Sequence, residues 1–269
     1  MNIDLKNYQT YLLNIKKSLV YYNYLRVLFK YLEEKNIMFL DLTKEQLAQF
    51  FTDKEYQPNS INNVLKAGKD FCKFQKQENN PFIEIPLVIP ETRIRTYISY
   101  DELQKAIRYY ATYYTRGTSS QKTSIILKFL FYTGIRKGEL LSLKRENIDI
   151  TNNCAVIWGQ KTKQERIVYF PSKITKELII YFNSEKEQLN AFNITNAELI
   201  SIIKKIGHYL NKKISPHSLR HSGAKYMIEK MGNPMVVQKI LGHKSLQSTL
   251  IYANPDDKIA SDTYRKKIG

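Results

Sequence analysis

The stretch "QENNPFIEIPLVIPETRIRTY", residues 77–97, limits the fold more than any other part of the chain. Its three prolines lack the amide hydrogen that an interior helical turn needs, and their rings collide with the turn before them, so no helix runs through it. On both sides apolar residues recur at helical spacing. The chain is therefore expected to form two bodies: a helical domain over 1–80, a linker over 81–97 and a second domain over 98–269. A length of 269 residues is enough for two modest cores.

The first domain reads as a set of amphipathic helices. One runs from about Leu5 to Ile15. A second, "SLVYYNYLRVLFKYLEEKN", starts at the cap residue Ser18, and "TKEQLAQFF" carries Thr43 and Gln46 as the two halves of a capping box. A fourth helix begins near Ser60. On it Lys66, Lys69, Lys73 and Lys76 recur at spacings of three and four, forming a basic stripe beside Ile61, Val64, Leu65 and Cys72. Such a stripe is either a solvated face or a surface laid against DNA.

The formal charge of +17 leaves a similar pair of readings open, a polyphosphate partner or a lysine-rich surface. Hydrophobic content of 43% excludes a disordered chain. No apolar run approaches the roughly 18 residues of a spanning helix, and "MNIDLKNYQT" lacks the layout of a signal peptide. A soluble, cytoplasmic protein without a membrane partner is expected. Cys72 and Cys154 are widely separated and are expected to be buried apolar residues, with neither a disulfide nor a metal site between them.

In the second domain Ser99 caps "YDELQKAIRYYATYY", and "SSQKTSIILKFLFYTG" is a strongly apolar helix closed by Gly134. "GELLSL" continues as a short helix. The period then changes. "CAVIWG" and "ERIVYF" are β-branched and aromatic runs either side of "QKTKQ", which predicts a hairpin whose loop carries Lys161 and Lys163. Helices follow over 174–182 and 196–210. The expected fold class is mainly α with a small antiparallel β-sheet.

Three segments of this domain carry chemistry. "YTGIRKGELLSLK" puts Arg136 just past a glycine turn with Glu139 one helical turn on; alone, this is an ordinary surface ion pair. "SPHSLRHSGAKYM" opens with Ser215 as cap and Pro216 at the first helical position, so His217, Arg220 and His221 fall in the first two turns. An anion suits that helix end. Zinc is the competing reading, because His217 and His221 are four apart; but Ser218 stands where a zinc protease has its glutamate, and no third ligand is evident. In "NPMVVQKILGHKSLQSTLIYAN", Asn233 and Pro234 open a helix, Gly242 ends it, His243 sits on the turn, and a helix from about Ser245 presents Tyr252. Three of the chain's 4 histidines thus lie close in sequence to Tyr252.

Taken in order, the residues R…K…H-x-x-R…LGH…Y resemble the tyrosine site-specific recombinases, the family of the Xer recombinases, lambda integrase and Cre. "TGIRKGELL" resembles its first arginine box, "PHSLRHSGA" its H-x-L-R-H box, and "LGHKSLQSTLIYAN" its histidine-to-tyrosine segment. "GQKTKQERIVYF" is similar to the G-K-G-x-K-x-R-x-V loop, with Lys161 in the lysine slot. Gln160 and Thr162 depart from that pattern, Thr162 replacing a glycine, so Lys163 stays a second candidate for that slot. The likeness spans residues 97–255. The resemblance implies an N-terminal helical core-binding (SAM-like) domain and a C-terminal α+β catalytic domain.

The resemblance also implies roles. Arg136 and Arg220 would clamp the nonbridging oxygens of a DNA phosphate and His243 would bond to the same group. His217 would accept the proton of Tyr252 or hold the phosphate, and Lys161 would protonate the leaving 5′ oxygen. Glu139 and His221 would support the site. Lys66, Lys69, Lys73, Lys76 and Lys163 would contact DNA. Tyr252 would become joined to a 3′ phosphate, with no cofactor or metal, and four protomers on two double-stranded sites would exchange strands through a Holliday junction. The last residues, "ANPDDKIASDTYRKKIG", form either a helix donated to a neighbouring protomer or a basic tail. The rival readings are a type IB topoisomerase, which rejoins the same strand, and a DNA-binding relative without activity.

Overall fold

The computed structural model describes residues 3–15, 17–89, 96–114, 118–159, 163–184, 189–243 and 245–252. The chain separates into two compact units, Met1–Arg93 and Ile94–Gly269. Within the first unit lie α1 (Ile3–Asn14), α2 (Val20–Glu34), α3 (Lys44–Asp53), α4 (Pro58–Phe74) and α5 (Pro81–Glu84). Each presents one apolar stripe, and Leu5, Tyr8, Leu25, Leu28, Leu47, Phe50, Leu65 and Phe71 close into one core.

Local chemistry sets the ends of these helices. At α3 the Thr43 hydroxyl accepts from the Gln46 amide while the Gln46 side chain accepts from the Thr43 amide, the capping box read from the sequence. Three expectations are corrected. The cap position of α2 is Leu19 rather than Ser18, whose hydroxyl sits one residue too early and accepts only from Val20 N–H at 3.3 Å. Lys76 is not on α4. It follows the helix end in the left-handed region (φ 54°), where Gln77 N–H donates to the Cys72 carbonyl, so the stripe on the helix is Lys66, Lys69 and Lys73.

The third correction concerns the segment expected to be a linker. Pro81 takes the first turn of α5, where its missing N–H costs nothing, and the Asn80 side chain accepts from Phe82 N–H. Phe82 is fully buried and packs so tightly on α4 that a Cβ at Gly68 would come within 2.1 Å of its ring. Asn62 then exchanges two hydrogen bonds with the backbone of Val88, at 2.7 and 2.8 Å. Prolines stop a long helix here, but they do not stop the segment from packing.

The second unit holds α6 (Tyr100–Tyr113), α7 (Thr118–Thr133), α8 (Lys137–Ser142), β1 (Ile148–Asp149), β2 (Cys154–Gly159), β3 (Gln164–Tyr169), α9 (Thr175–Ser184), α10 (Asn196–Tyr209), α11 (Pro216–Met231), α12 (Pro234–Leu241) and α13 (Gln247–Leu250). The strands form one antiparallel sheet in the order β1-β2-β3, with Val156 opposite Ile167 and Trp158 opposite Glu165. The fold is therefore mainly helical with a small antiparallel sheet. The hairpin is as expected; β1, two residues long, is too short to show a period. Cys72 is buried, but Cys154 at the start of β2 is only partly covered, against expectation.

Beneath the sheet, α7 is the central helix of this unit. Ile125, Ile126, Phe129, Leu130 and Phe131 are buried along it, consistent with its near-continuous apolar sequence. α11 crosses it so closely that a Cβ at Gly223 would stand 2.0 Å from the Phe131 carbonyl oxygen. That approach brings the first turns of α11 to the end of α7. Among the described residues no helix is long and apolar enough to cross a membrane.

Candidate active site

Four segments converge where α7 ends. Gly134 turns the chain at φ +58°, and Arg136 occupies the cap position of α8. α11 begins at a capped turn, Ser215 accepting from Ser218 N–H at 3.2 Å, and projects His217, Arg220 and His221. α12 ends at Gly242 (φ +62°), which delivers His243 to the site. The Cβ of any other residue at 242 would lie 2.7 Å from Arg166 Cδ in a backbone conformation that disfavours side chains. Tyr252 follows α13 on a turn, rather than standing on a helix as expected, and is buried at 7% exposure. The resulting open cleft, about 450 Å³, is lined by Arg136, His217, Arg220, His221, His243 and Tyr252 together with Gln247, Ser248 and Ile251.

Glu139 organises the cations. It is almost fully buried, and its two oxygens take a bidentate pair from Arg166 at 2.9 and 2.7 Å, a bond from the Arg136 guanidinium at 2.9 Å and the Arg136 backbone N–H at 2.7 Å. Burial opposes ionisation of this carboxyl, but the Arg166 and Arg136 hydrogen bonds outweigh it and hold the pKa down at about 2. Arg166 also donates through Nε to the Ile240 carbonyl at 3.1 Å, and Arg136 to the Gly242 carbonyl at 3.3 Å.

Arg220 is only 3% exposed and donates to the carbonyls of Gly134 and Leu241, at the C-terminal ends of α7 and α12. Helix C-termini carry partial negative charge, which offsets some of the cost of burying a cation. Desolvation, then repulsion from Arg136 and Arg166, lowers its pKa to about 10, which still leaves it charged at neutral pH. Three guanidiniums face one carboxylate here, so among the described residues the cluster retains two uncompensated positive charges. An anion is the ligand such a cleft can hold.

The imidazoles differ in environment. His243 is half-buried, with Nδ1 2.7 Å from the hydroxyl of Thr249, itself fully buried. Desolvation first, then the positive charges of Arg220, Arg136 and Arg166, pushes its pKa down to about 4, so it is neutral at physiological pH. His217 is exposed and meets the His221 ring edge-on, centroids 4.0 Å apart. His221 Nδ1 is hydrogen-bonded to the Tyr252 hydroxyl.

Of the expected site residues, Arg136, Glu139, His217, Arg220, His221, His243 and Tyr252 are brought together. Lys161 lies outside the described residues, as do the residues after Tyr252. Lys163 is exposed on the turn just before β3 (φ 54°), its N–H donating to the Gly159 carbonyl at 2.7 Å. Two members of the cluster, Arg166 and Thr249, were not anticipated. Alternation along β3 was the available signal for Arg166, because it shares a strand face with the buried Val168. A charge on an inward face needs a partner, and here it is Glu139.

Residues 97–258 match the phage integrase family. Tyrosine recombinase XerA of Saccharolobus solfataricus is 32% identical over 133 residues, 49% of this chain and 46% of that protein, so this match reaches less than half of the relative's length. A tyrosine recombinase of Pseudothermotoga lettingae is 24% identical over 284 residues, 97% of each chain. Among solved structures, the Tn1549 transposon integrase in complex with transposon right end DNA superimposes with a TM-score of 0.77 at 14% identity, covering 99% of each chain, a likeness of fold.

Proposed function

The chain belongs to the phage integrase family, as a tyrosine recombinase of the Xer type, and we propose that it recombines two double-stranded DNA sites through a covalent 3′-phosphotyrosyl intermediate on Tyr252. The observation that carries this reading is the convergence of Tyr252, Arg136, Arg220 and His243 on one cationic cleft.

A phosphodiester repels anionic nucleophiles, and a phenol with a pKa near 10 is largely protonated at neutral pH, so the site must neutralise one group and deprotonate the other. Arg136 and Arg220 bind the nonbridging oxygens and stabilise the additional charge of the pentavalent transition state. Neutral His243, whose Nδ1 is paired with the Thr249 hydroxyl, offers a hydrogen on Nε2 to the same phosphate in the tautomer where Thr249 donates, and exposed His217 adds a further contact. The Tyr252 oxygen bonds to phosphorus while the bond to the 5′ oxygen breaks. Lys161 protonates that oxygen, and Lys163 is the alternative donor. The phosphotyrosine conserves the bond energy, so attack by a 5′ hydroxyl from the partner site reseals the strand without an external energy source.

In this reading the N-terminal unit is a core-binding, SAM-like domain whose Lys66, Lys69 and Lys73 meet DNA phosphates, joined by Lys76 beyond the helix and by Lys163. Four protomers assemble on two sites and pass through a Holliday junction, in the cytoplasm. Type IB topoisomerase action and an inactive DNA-binding role are not favoured. The discriminating experiment selects a bound duplex from a random pool and incubates labelled and unlabelled copies of unequal length with the protein. Hybrid-length strands are expected with the wild-type chain and none with Tyr252→Phe. Relaxation of a supercoiled plasmid without any hybrid strand would contradict the reading in favour of topoisomerase action.

A further inference from the structure

Proton removal from Tyr252 is the step for which the cluster offers several imidazoles, and they are not equivalent. His243 has Nδ1 engaged by Thr249, and its ring centroid is 6.4 Å from that of Tyr252. His217 is exposed and touches the edge of His221. His221, with its centroid 5.3 Å from the tyrosine ring, is the imidazole whose nitrogen is hydrogen-bonded to the tyrosine oxygen. A general base must lie within hydrogen-bond reach of the proton it removes, and His221 meets that requirement before DNA is bound.

We infer that His221, rather than His217, is the catalytic base of the cleavage step. With its own hydrogen on Nε2, His221 accepts the Tyr252 hydroxyl proton at Nδ1 as the tyrosine oxygen bonds to phosphorus and the phosphorus–5′ oxygen bond breaks. The leaving oxygen takes its proton from elsewhere, the lysine of the hairpin. In resealing, the attacking 5′ hydroxyl gives its proton back to that lysine as its oxygen bonds to phosphorus, and the imidazolium returns the other proton to the tyrosine oxygen as the phosphotyrosine bond breaks, so both steps balance with no further reactant. His217 is left to bind phosphate from the open side of the cleft and to lie against the His221 ring.

The local sequence explains the division. His217 and His221 are one helical turn apart on α11, and the close contact at Gly223 sets this helix against α7. The outer histidine therefore faces the cleft mouth while the inner one meets buried Tyr252. The hydrogen bond also keeps the phenol in place in the absence of substrate, which pre-organises the attacking atom.

This inference rests on the recombinase reading, and single-turnover cleavage of the selected duplex, nicked so that the cut strand is lost, separates the two. Covalent adduct is measured for wild-type, His221→Ala, His221→Gln and His217→Ala chains, with DNA binding and thermal melting recorded alongside. His221→Ala and His221→Gln are expected to cleave about 100-fold more slowly or worse, within the range general bases contribute, with DNA binding retained. Glutamine preserves a hydrogen-bonding side chain, so a melting temperature close to wild type shows that the loss is not unfolding.

The decisive readout replaces Tyr252 with 3,5-difluorotyrosine, whose phenol is far more acidic. It should recover most of the rate lost by His221→Gln, because a phenol already ionised needs no base. A 5′-phosphorothiolate substrate, which relieves only leaving-group protonation, should not recover it. Cleavage by both His221 variants at the wild-type rate, or a loss that difluorotyrosine leaves unchanged, would overturn the inference while leaving the recombinase reading intact. Failure of the wild-type chain to form any adduct would overturn both.

Discussion

Glu139 shows how much of this site depends on one carboxylate. It bridges Arg166 of the sheet and Arg136 of α8, and Arg166 in turn reaches the last turn of α12 through the Ile240 carbonyl. Removing one partner of a buried pair typically costs about 3–5 kcal/mol, because the remaining charge is left in a poorly solvated place. Arg166→Gln should therefore lower stability by roughly 3 kcal/mol in urea unfolding, and adding Glu139→Gln should cost less than the sum of the two. Full additivity would show that the residues do not act as a pair. The pair also leaves a mark at low pH: with its pKa lowered from 4.5 to about 2, Glu139 stabilises the fold fully above pH 4.5, and that contribution is lost as pH falls through about 2. Arg136, His217, Arg220, His243 and Tyr252 were legible as single residues. The His221 contact was not, because two imidazoles one turn apart look equivalent until α11 is set against Tyr252.

At the level of elements, caps and periods carried most of the information. Thr43, Ser99 and Ser215 each accept from the amide three residues on, and helices begin behind all three. β1, α5 and the shortness of α13 were hidden, because two to four residues hold no period and are shaped by what they pack against. The same holds for the crossing of α7 and α11, which depends on the missing Cβ of Gly223. Gly223→Ala puts a methyl group against the Phe131 carbonyl. Overpacking of this kind costs about 1–3 kcal/mol, and the helices must separate to admit it. The expected result is a lower urea midpoint together with slower DNA cleavage, since Arg220 would move relative to the Gly134 carbonyl. An unchanged midpoint would mean that the crossing is looser than this close approach requires.

At the scale of the whole molecule, a chain with a formal charge of +17 places one buried and two partly buried guanidiniums in a cluster of the second unit and a lysine stripe, exposed at Lys66 and Lys73, in the first, and both suit DNA. The proline-rich division was visible from the sequence, but where the first unit ends was not, because Phe82 and Val88 join it through contacts that no local pattern encodes. The central claim is that one tyrosine of 20 does the chemistry. Its most direct test is peptide mapping, by mass spectrometry, of the covalent adduct trapped on a nicked duplex in the presence of a chelator. A single modified peptide, with the 3′ phosphate on Tyr252, is the predicted result. A 3′ phosphate on any other residue, or an adduct that persists in Tyr252→Phe, would contradict the account.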